Sequence, residues 1–176
     1  MHYLNYHSIL LIFGAAAILI CLWGLLEYFL HKNEKVYRTT NILLLCVSVC
    51  VVLRCTVLFR ETADYSVSLV PFATLQRAFG DKVLYRSLLL NILLFMPLTL
   101  FGCSGFCGIE KKRAWILIAS GAAFSVIIEV TQYAFSLGQA DIDDVICNTL
   151  GLLAGYLVFR LHHRLFLQNK TIHKEP

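Results

Sequence analysis

An all-helical, polytopic bundle of about five membrane-spanning helices is the fold class predicted by three observations. Apolar residues make up 59% of the 176-residue chain and charged residues only 15%, with mean hydropathy +0.72. Soluble domains carry about 45–50% and about 25% respectively. The apolar excess is gathered into runs of about 17–22 residues, the length that crosses a bilayer core as a helix. The Lys and Arg residues lie mainly in the short segments between those runs. The same observations exclude a disordered regulator. The net charge of +4 sets topology rather than forming a groove-reading patch, so no nucleic-acid partner is expected. Seven cysteines, six of them within or at the ends of apolar runs, read as small hydrophobes, not as a secreted disulfide scaffold.

Each span follows from its own run. The first covers about Ile9 to Leu30. No Lys or Arg precedes it and it is too long for the apolar region of a cleaved signal peptide, so it is expected to stay as an anchor. The second runs from Asn41 to Phe59, the third from Leu88 to Phe106, the fourth from Ala114 to Phe135 and the fifth from Val145 to Leu161. Three segments follow: residues 1–67 with two spans, residues 68–161 with three spans and an outer loop, and a polar cytoplasmic tail over 162–176. Within that loop, Pro71 precedes Phe72 to Phe79, which has the pattern of a short amphipathic helix lying in the interface.

Orientation comes from the connections. The loops after the first and third spans and the C-terminal tail carry ten Lys and Arg, whereas the loops from Arg60 to Arg86 and from Ser136 to Asp144 carry four. The N-terminus is therefore expected outside and the C-terminus on the cytoplasmic side.

Polar groups that lipid would not tolerate mark the interior. Glu129 shares a helix face with Ser125 and Gln132. Asn148 lies one turn into the fifth span, four residues after Asp144, and Gly151 and Gly155 continue its face as a Gly-x-x-x-Gly pair that admits a close helix. Asn91 opens the third span, where Pro97 removes one backbone donor. Arg54 sits in the second span with no carboxylate near it in sequence, and Glu129 is a candidate partner. In the expected topology Asn91, Glu129, Gln132, Asp144 and Asn148 all fall in outer halves of spans, with Asp141 and Asp143 at the rim, and outline one polar pocket. Three carboxylates in Asp141-Ile142-Asp143-Asp144 repel unless neutralised. Two solutions stay open: a divalent cation held by Asp141, Asp143 and Asp144, or capping of the fifth span by Asp143 or Asp144. An EF-hand loop is excluded, because Ile146 and Leu152 stand where Gly and Glu are needed.

These residues carry a family resemblance. Asn91-Ile-Leu-Leu-Phe-Met-Pro97, Ser125-Val-Ile-Ile-Glu129-Val-Thr-Gln132 and Asp141-Ile-Asp-Asp144-Val-Ile-Cys-Asn148-Thr-Leu-Gly151, preceded by Ser68-Leu-Val-Pro71-Phe72, resemble the VanZ-like membrane protein family over about Ser68 to Tyr156. Two positions depart from its usual pattern: Thr99 stands where many members have Gly, and Gly138 where many have Arg. The family's namesake is an accessory protein associated with lowered susceptibility to teicoplanin, so the resemblance implies a role in glycopeptide tolerance or cell-envelope lipid handling.

Three functions are open at this point. The first is a binding protein whose outer pocket engages a lipid headgroup, a lipid-linked cell-wall intermediate or a lipidated glycopeptide antibiotic. The second is a metal-dependent membrane enzyme that hydrolyses or transfers a lipid phosphate headgroup, with Glu129 as general base and Mg²⁺ on the aspartates. No phosphatase, nucleotide-binding or Ser/His/Asp pattern accompanies it, and the six His residues lie towards the two ends of the chain. The third is a membrane scaffold for a cell-wall enzyme, with Gly151 and Gly155 available for a homo-oligomer or a partner contact.

Overall fold

The computed structural model describes residues 14, 20–30, 33–58, 67–107, 110–137 and 140–167. Helix α1 covers Ile20–Leu30; the start of the expected first span lies outside the described residues. Among the described residues, four helices are long and apolar enough to cross a membrane: Glu34–Leu58, Lys82–Phe106, Lys111–Ala134 and Ile142–Leu165. They are labelled α2, α4, α5 and α6 by their regular parts, Glu34–Leu53, Lys82–Gly102, Lys111–Ala134 and Ile142–His162. At 1.5 Å per residue the regular parts alone are about 30–36 Å long, enough for a bilayer core of about 30 Å. The chain is a polytopic, all-α membrane protein.

Several helices begin earlier than hydropathy suggests, because polar residues supply their first turns and caps. Asn33 caps α2 by accepting from Val36 N at 3.3 Å. Asp81 caps α4 by accepting from Val83 N at 2.8 Å and Leu84 N at 3.4 Å, which places Arg86 inside the helix and not in the loop. Three helices widen at their C-terminal ends into a single π turn: Arg54–Leu58 after α2, Cys103–Cys107 after α4 and His163–Leu167 after α6. The last carries α6 past Leu161 into the expected tail. At the end of α5, Ser136 adopts a left-handed conformation with φ 55°. Leu137 N then reaches Gln132 O at 2.8 Å and Ser136 N reaches Tyr133 O at 3.2 Å, closing the last carbonyls in a Schellman arrangement. Hydroxyls within the spans also bond backward: Ser48 to Leu44 O, Thr131 to Ile127 O and Thr149 to Val145 O.

Among the described residues, helices α4 and α6 make the most extensive contact. Glycine sets their spacing. A Cβ on Gly151 would stand 2.2 Å from Ile92 O, and one on Gly155 would stand 2.1 Å from Met96 O. The Gly-x-x-x-Gly face is therefore filled by α4 of the same chain and is closed to a second copy. Thr99 Oγ1 donates across this contact to Leu152 O at 2.5 Å. The main apolar core gathers Val52 of α2, Phe95 and Leu98 of α4, Ile118 and Ile128 of α5 and Leu152 of α6.

Between α2 and α4 the chain forms a strand β1 (Val67–Ser68) and a six-residue helix α3 (Ala73–Ala78). A second strand, β2 (Ala140–Asp141), precedes α6. The strands pair in parallel, Val67 with Ala140 and Ser68 with Asp141. This short ladder fixes α3 against the start of α6. Thr74 and Ala78 of α3 face inward, and Ala78 packs on Leu88 and Cys147. Phe72, Leu75 and Phe79 stay exposed, as an amphipathic element requires. Arg60, Glu61 and Asp64 lie outside the described residues.

Candidate functional site

The polar residues of α4, α5 and α6 meet in a buried seam. Asn148 Nδ2 donates to Ser125 Oγ at 2.8 Å, joining α6 to α5. Asn91 Nδ2 on α4 donates to Asp144 Oδ1 at 2.7 Å. Nearer the strands, Glu129 Oε2 accepts the backbone N–H of Asp141 at 3.0 Å. Gln132 Nε2 donates to Thr56 O at 2.9 Å, which brings the π turn carrying Arg54 against the Glu129–Gln132 stretch of α5. All seven expected site residues, Asn91, Glu129, Gln132, Asp141, Asp143, Asp144 and Asn148, thus lie at the α3 end of the bundle.

The acidic motif divides its labour. Asp141 is the N-cap of α6 and accepts from Asp143 N at 2.9 Å; capping falls to it and not to Asp143 or Asp144, which occupy the first turn. Its other oxygen accepts from the Thr74 hydroxyl, which itself accepts from Arg77 Nη2 at 2.7 Å. Asp143 reaches across to α3. Its Oδ1 accepts from Phe72 N at 2.6 Å, and its Oδ2 accepts from Thr74 N at 2.8 Å and Leu75 N at 3.0 Å. A carboxylate at the N-terminal amides of a helix neutralises orphan donors and partial positive charge together. It also holds Phe72 in its left-handed conformation, φ 66°.

That arrangement does not suit a shared cation. The two oxygens of Asp143 and the two of Asp141 all point at N–H or O–H donors, and Asp144 is bonded to Asn91 on another side of α6. Among the described residues no group of three or more His, Cys, Asp or Glu is placed to hold a metal ion. Repulsion among Asp141, Asp143 and Asp144 is relieved in this structure by protein donors to each of them.

Two acceptors in the seam lack donors. Gln132 Oε1 and Asn148 Oδ1 are buried without a hydrogen-bond partner, a state that costs about 1–3 kcal/mol per group unless water or a ligand supplies an N–H or O–H. Around the same end, Leu69, Val70, Phe72, Leu75, Phe79 and Val83 form an exposed apolar collar. An acceptor-rich, acidic interior beside an apolar rim is chemically suited to a molecule with a donor-bearing or cationic head and a hydrocarbon tail.

The family model described as VanZ/LLP1 matches residues 41–163. The chain belongs to the VanZ/LLP1 family. A curated relative, "Protein VanZ" of Enterococcus faecium, is 31% identical over 107 residues, 60% of this chain and 59% of the relative. The match thus spans less than two thirds of that relative's length. No solved structure matches. The VanZ/LLP1 segment contains the whole seam and α3, whereas α1 and the first turns of α2 lie before it.

Two sets of residues were not singled out by the sequence. Thr74 and Thr56 join the site through contacts 67 and 76 residues away in sequence, and nothing local announces them. Glu27 lies in a second buried cluster with His162. Its sequence signal was available, since a carboxylate inside an apolar run is itself a marker.

Proposed function

We propose that this chain is a binding protein of the bacterial cytoplasmic membrane that takes up an amphiphile bearing an amino or other cationic head and a hydrocarbon tail. In the orientation set by the charge asymmetry, the α3 end faces outward. Membrane lipids, lipid-linked cell-wall intermediates and lipidated glycopeptides belong to this chemical class. The observation that carries the reading is the pair of undonated carboxamide oxygens, Gln132 Oε1 and Asn148 Oδ1, set among carboxylates and bordered by the apolar collar. The VanZ-like resemblance supports an envelope role. Teicoplanin is an acylated glycopeptide and fits the same description.

Asp141 and Asp143 serve here as structural anchors for α3. Asn91, Glu129, Gln132, Asp144 and Asn148 supply the head-group contacts. The test combines phenotype with retention of the ligand. Expressed in a teicoplanin-susceptible host, the wild-type chain raises the inhibitory concentration of teicoplanin, while Asp144→Asn and Glu129→Gln lose that rise yet remain in the membrane. Native mass spectrometry from mild detergent shows an amphiphile on the wild type and less on both variants. Wild-type behaviour of both variants in both measurements would sink the assignment. A chelator is expected to leave retention unchanged; loss of the bound amphiphile on chelation would restore the divalent-cation reading.

A further inference from the structure

The end of the bundle opposite α3 holds a second buried polar cluster, built by four elements. Glu27 on α1 is 1% exposed. Its Oε1 accepts from the Tyr37 hydroxyl at the start of α2 and, at 3.0 Å, from Ser104 Oγ in the π turn after α4. Its Oε2 lies 2.7 Å from Nδ1 of His162 on α6, whose side chain is 12% exposed. The His162 ring packs at a tilt against Trp23, one helical turn before Glu27, with centroids 4.8 Å apart. Trp23 in turn packs on Leu100, Cys103, Ala114 and Phe159.

The Nδ1–Oε2 contact has the distance of an ion pair. Two bare lone pairs at that separation repel, so a proton resides on one of the two atoms. With Glu27 ionised and His162 neutral, the pair buries one net negative charge among apolar side chains. One more proton cancels it. The partial exposure of His162 gives the proton a route from the aqueous phase. Two further buried polar atoms on the same elements have no hydrogen-bond partner: Trp23 Nε1, a donor one turn before Glu27, and Asn41 Oδ1, an acceptor one turn beyond Tyr37. Water between such groups would extend that route.

We propose that Glu27 and His162 form a proton-binding site that takes up one proton through His162 and couples its occupancy to the docking of α1. The site unites α1, which lies before the family segment, with the VanZ/LLP1 core, and it is separate from the seam at the α3 end. Among the described residues, the titratable and charged groups on the elements packed around it include Tyr28 on α1, Tyr37 on α2, Cys103 after α4, Arg160 on α6, and His163 and Arg164 in the π turn after it. The exposed charges at the helix starts pair locally, Arg38 with Glu34 and Arg113 with Glu110, and Lys35, Lys111 and Lys112 are exposed.

The test uses the full chain in nanodiscs, labelled with ¹⁵N-histidine and titrated from about pH 4 to about pH 10, between ordinary carboxyl and phenol values. The resonances lost in His162→Gln identify the site. They are expected to show one titration step in the wild type and a displaced step in Glu27→Gln. Amide exchange over α1 is expected to change across the same step. If Glu27→Gln does not accumulate, Tyr37→Phe and Ser104→Ala decide, each removing one donor to Oε1 and leaving the pair in place; a displaced step in either supports the site. His162 signals that stay constant over the whole range overturn it. So does a step unmoved by Glu27→Gln, or by both donor variants, which would leave the contact a structural clasp.

Discussion

Asp143 shows how much one side chain can decide. Its carboxylate accepts three backbone N–H groups from Phe72, Thr74 and Leu75 and is 2% exposed. Charge-assisted bonds of this kind contribute about 1.5–3 kcal/mol each when measured singly. Asp143→Asn keeps the shape, removes the charge and turns an N–H₂ towards N–H donors. Amide exchange at Phe72, Thr74 and Leu75 is expected to accelerate by about tenfold to a hundredfold, read by mass spectrometry over 69–80, while α5 exchanges as before. Unchanged exchange would mean that α3 is held by its apolar face and the strand pair alone. In the sequence the motif Asp141-Ile-Asp-Asp144 is visible as an acidic cluster needing neutralisation. Which aspartate does what is not visible, because the partners of Asp143 lie up to 71 residues away and only the docking of α3 presents them.

At the scale of an element, the α4–α6 contact is fixed by two glycines and one hydroxyl. A methyl group on Gly155 would meet Met96 O at 2.1 Å and Thr99 Oγ1 at 2.5 Å, and the backbone carbonyl cannot swing aside as a side chain can. Gly155→Ala is expected to cost about 1–3 kcal/mol through overpacking, measured by steric trapping in bicelles. Gly80→Ala is the control: its added Cβ meets nothing closer than Arg77 O at 3.8 Å, so a change within about 0.5 kcal/mol is expected. Thr99→Val removes the bond to Leu152 O and should cost about 0.6 kcal/mol, the average for interhelical hydrogen bonds in membranes. Close glycine packing thus outweighs the hydroxyl. The spacing of Gly151 and Gly155 announces a close helix in the sequence. It does not say whether that helix belongs to the same chain, and here α4 takes the place that a second copy would need.

For the whole molecule, the two polar ends differ in what surrounds them. The α3 end is ringed by apolar side chains such as Phe79, 85% exposed, whereas the opposite end carries the exposed Lys and Arg of the helix starts. In the proposed orientation, which rests on the charge asymmetry, the first faces outside. Single cysteines on a cysteine-free background test this with a membrane-impermeant maleimide. Phe79→Cys is expected to label in intact cells, and Glu110→Cys only after lysis. The reverse pattern would invert the topology and move the amphiphile site to the cytoplasmic leaflet.

The sequence by itself determined the helical class, the four long spans to within about two turns, and the polar residues that must turn inward. Each of these follows from a local cost, the transfer of a peptide bond or a charged group into hydrocarbon, which every residue meets wherever its neighbours lie. The tertiary structure alone decided the partners: Thr74 for Asp141, the amides of α3 for Asp143, α4 for the glycines and His162 for Glu27. Such contacts join residues far apart along the chain, as Glu27 and Ser104 are by 77 positions. Desolvation dictates that a buried polar group find a partner, but only the packing of the helices brings one within reach.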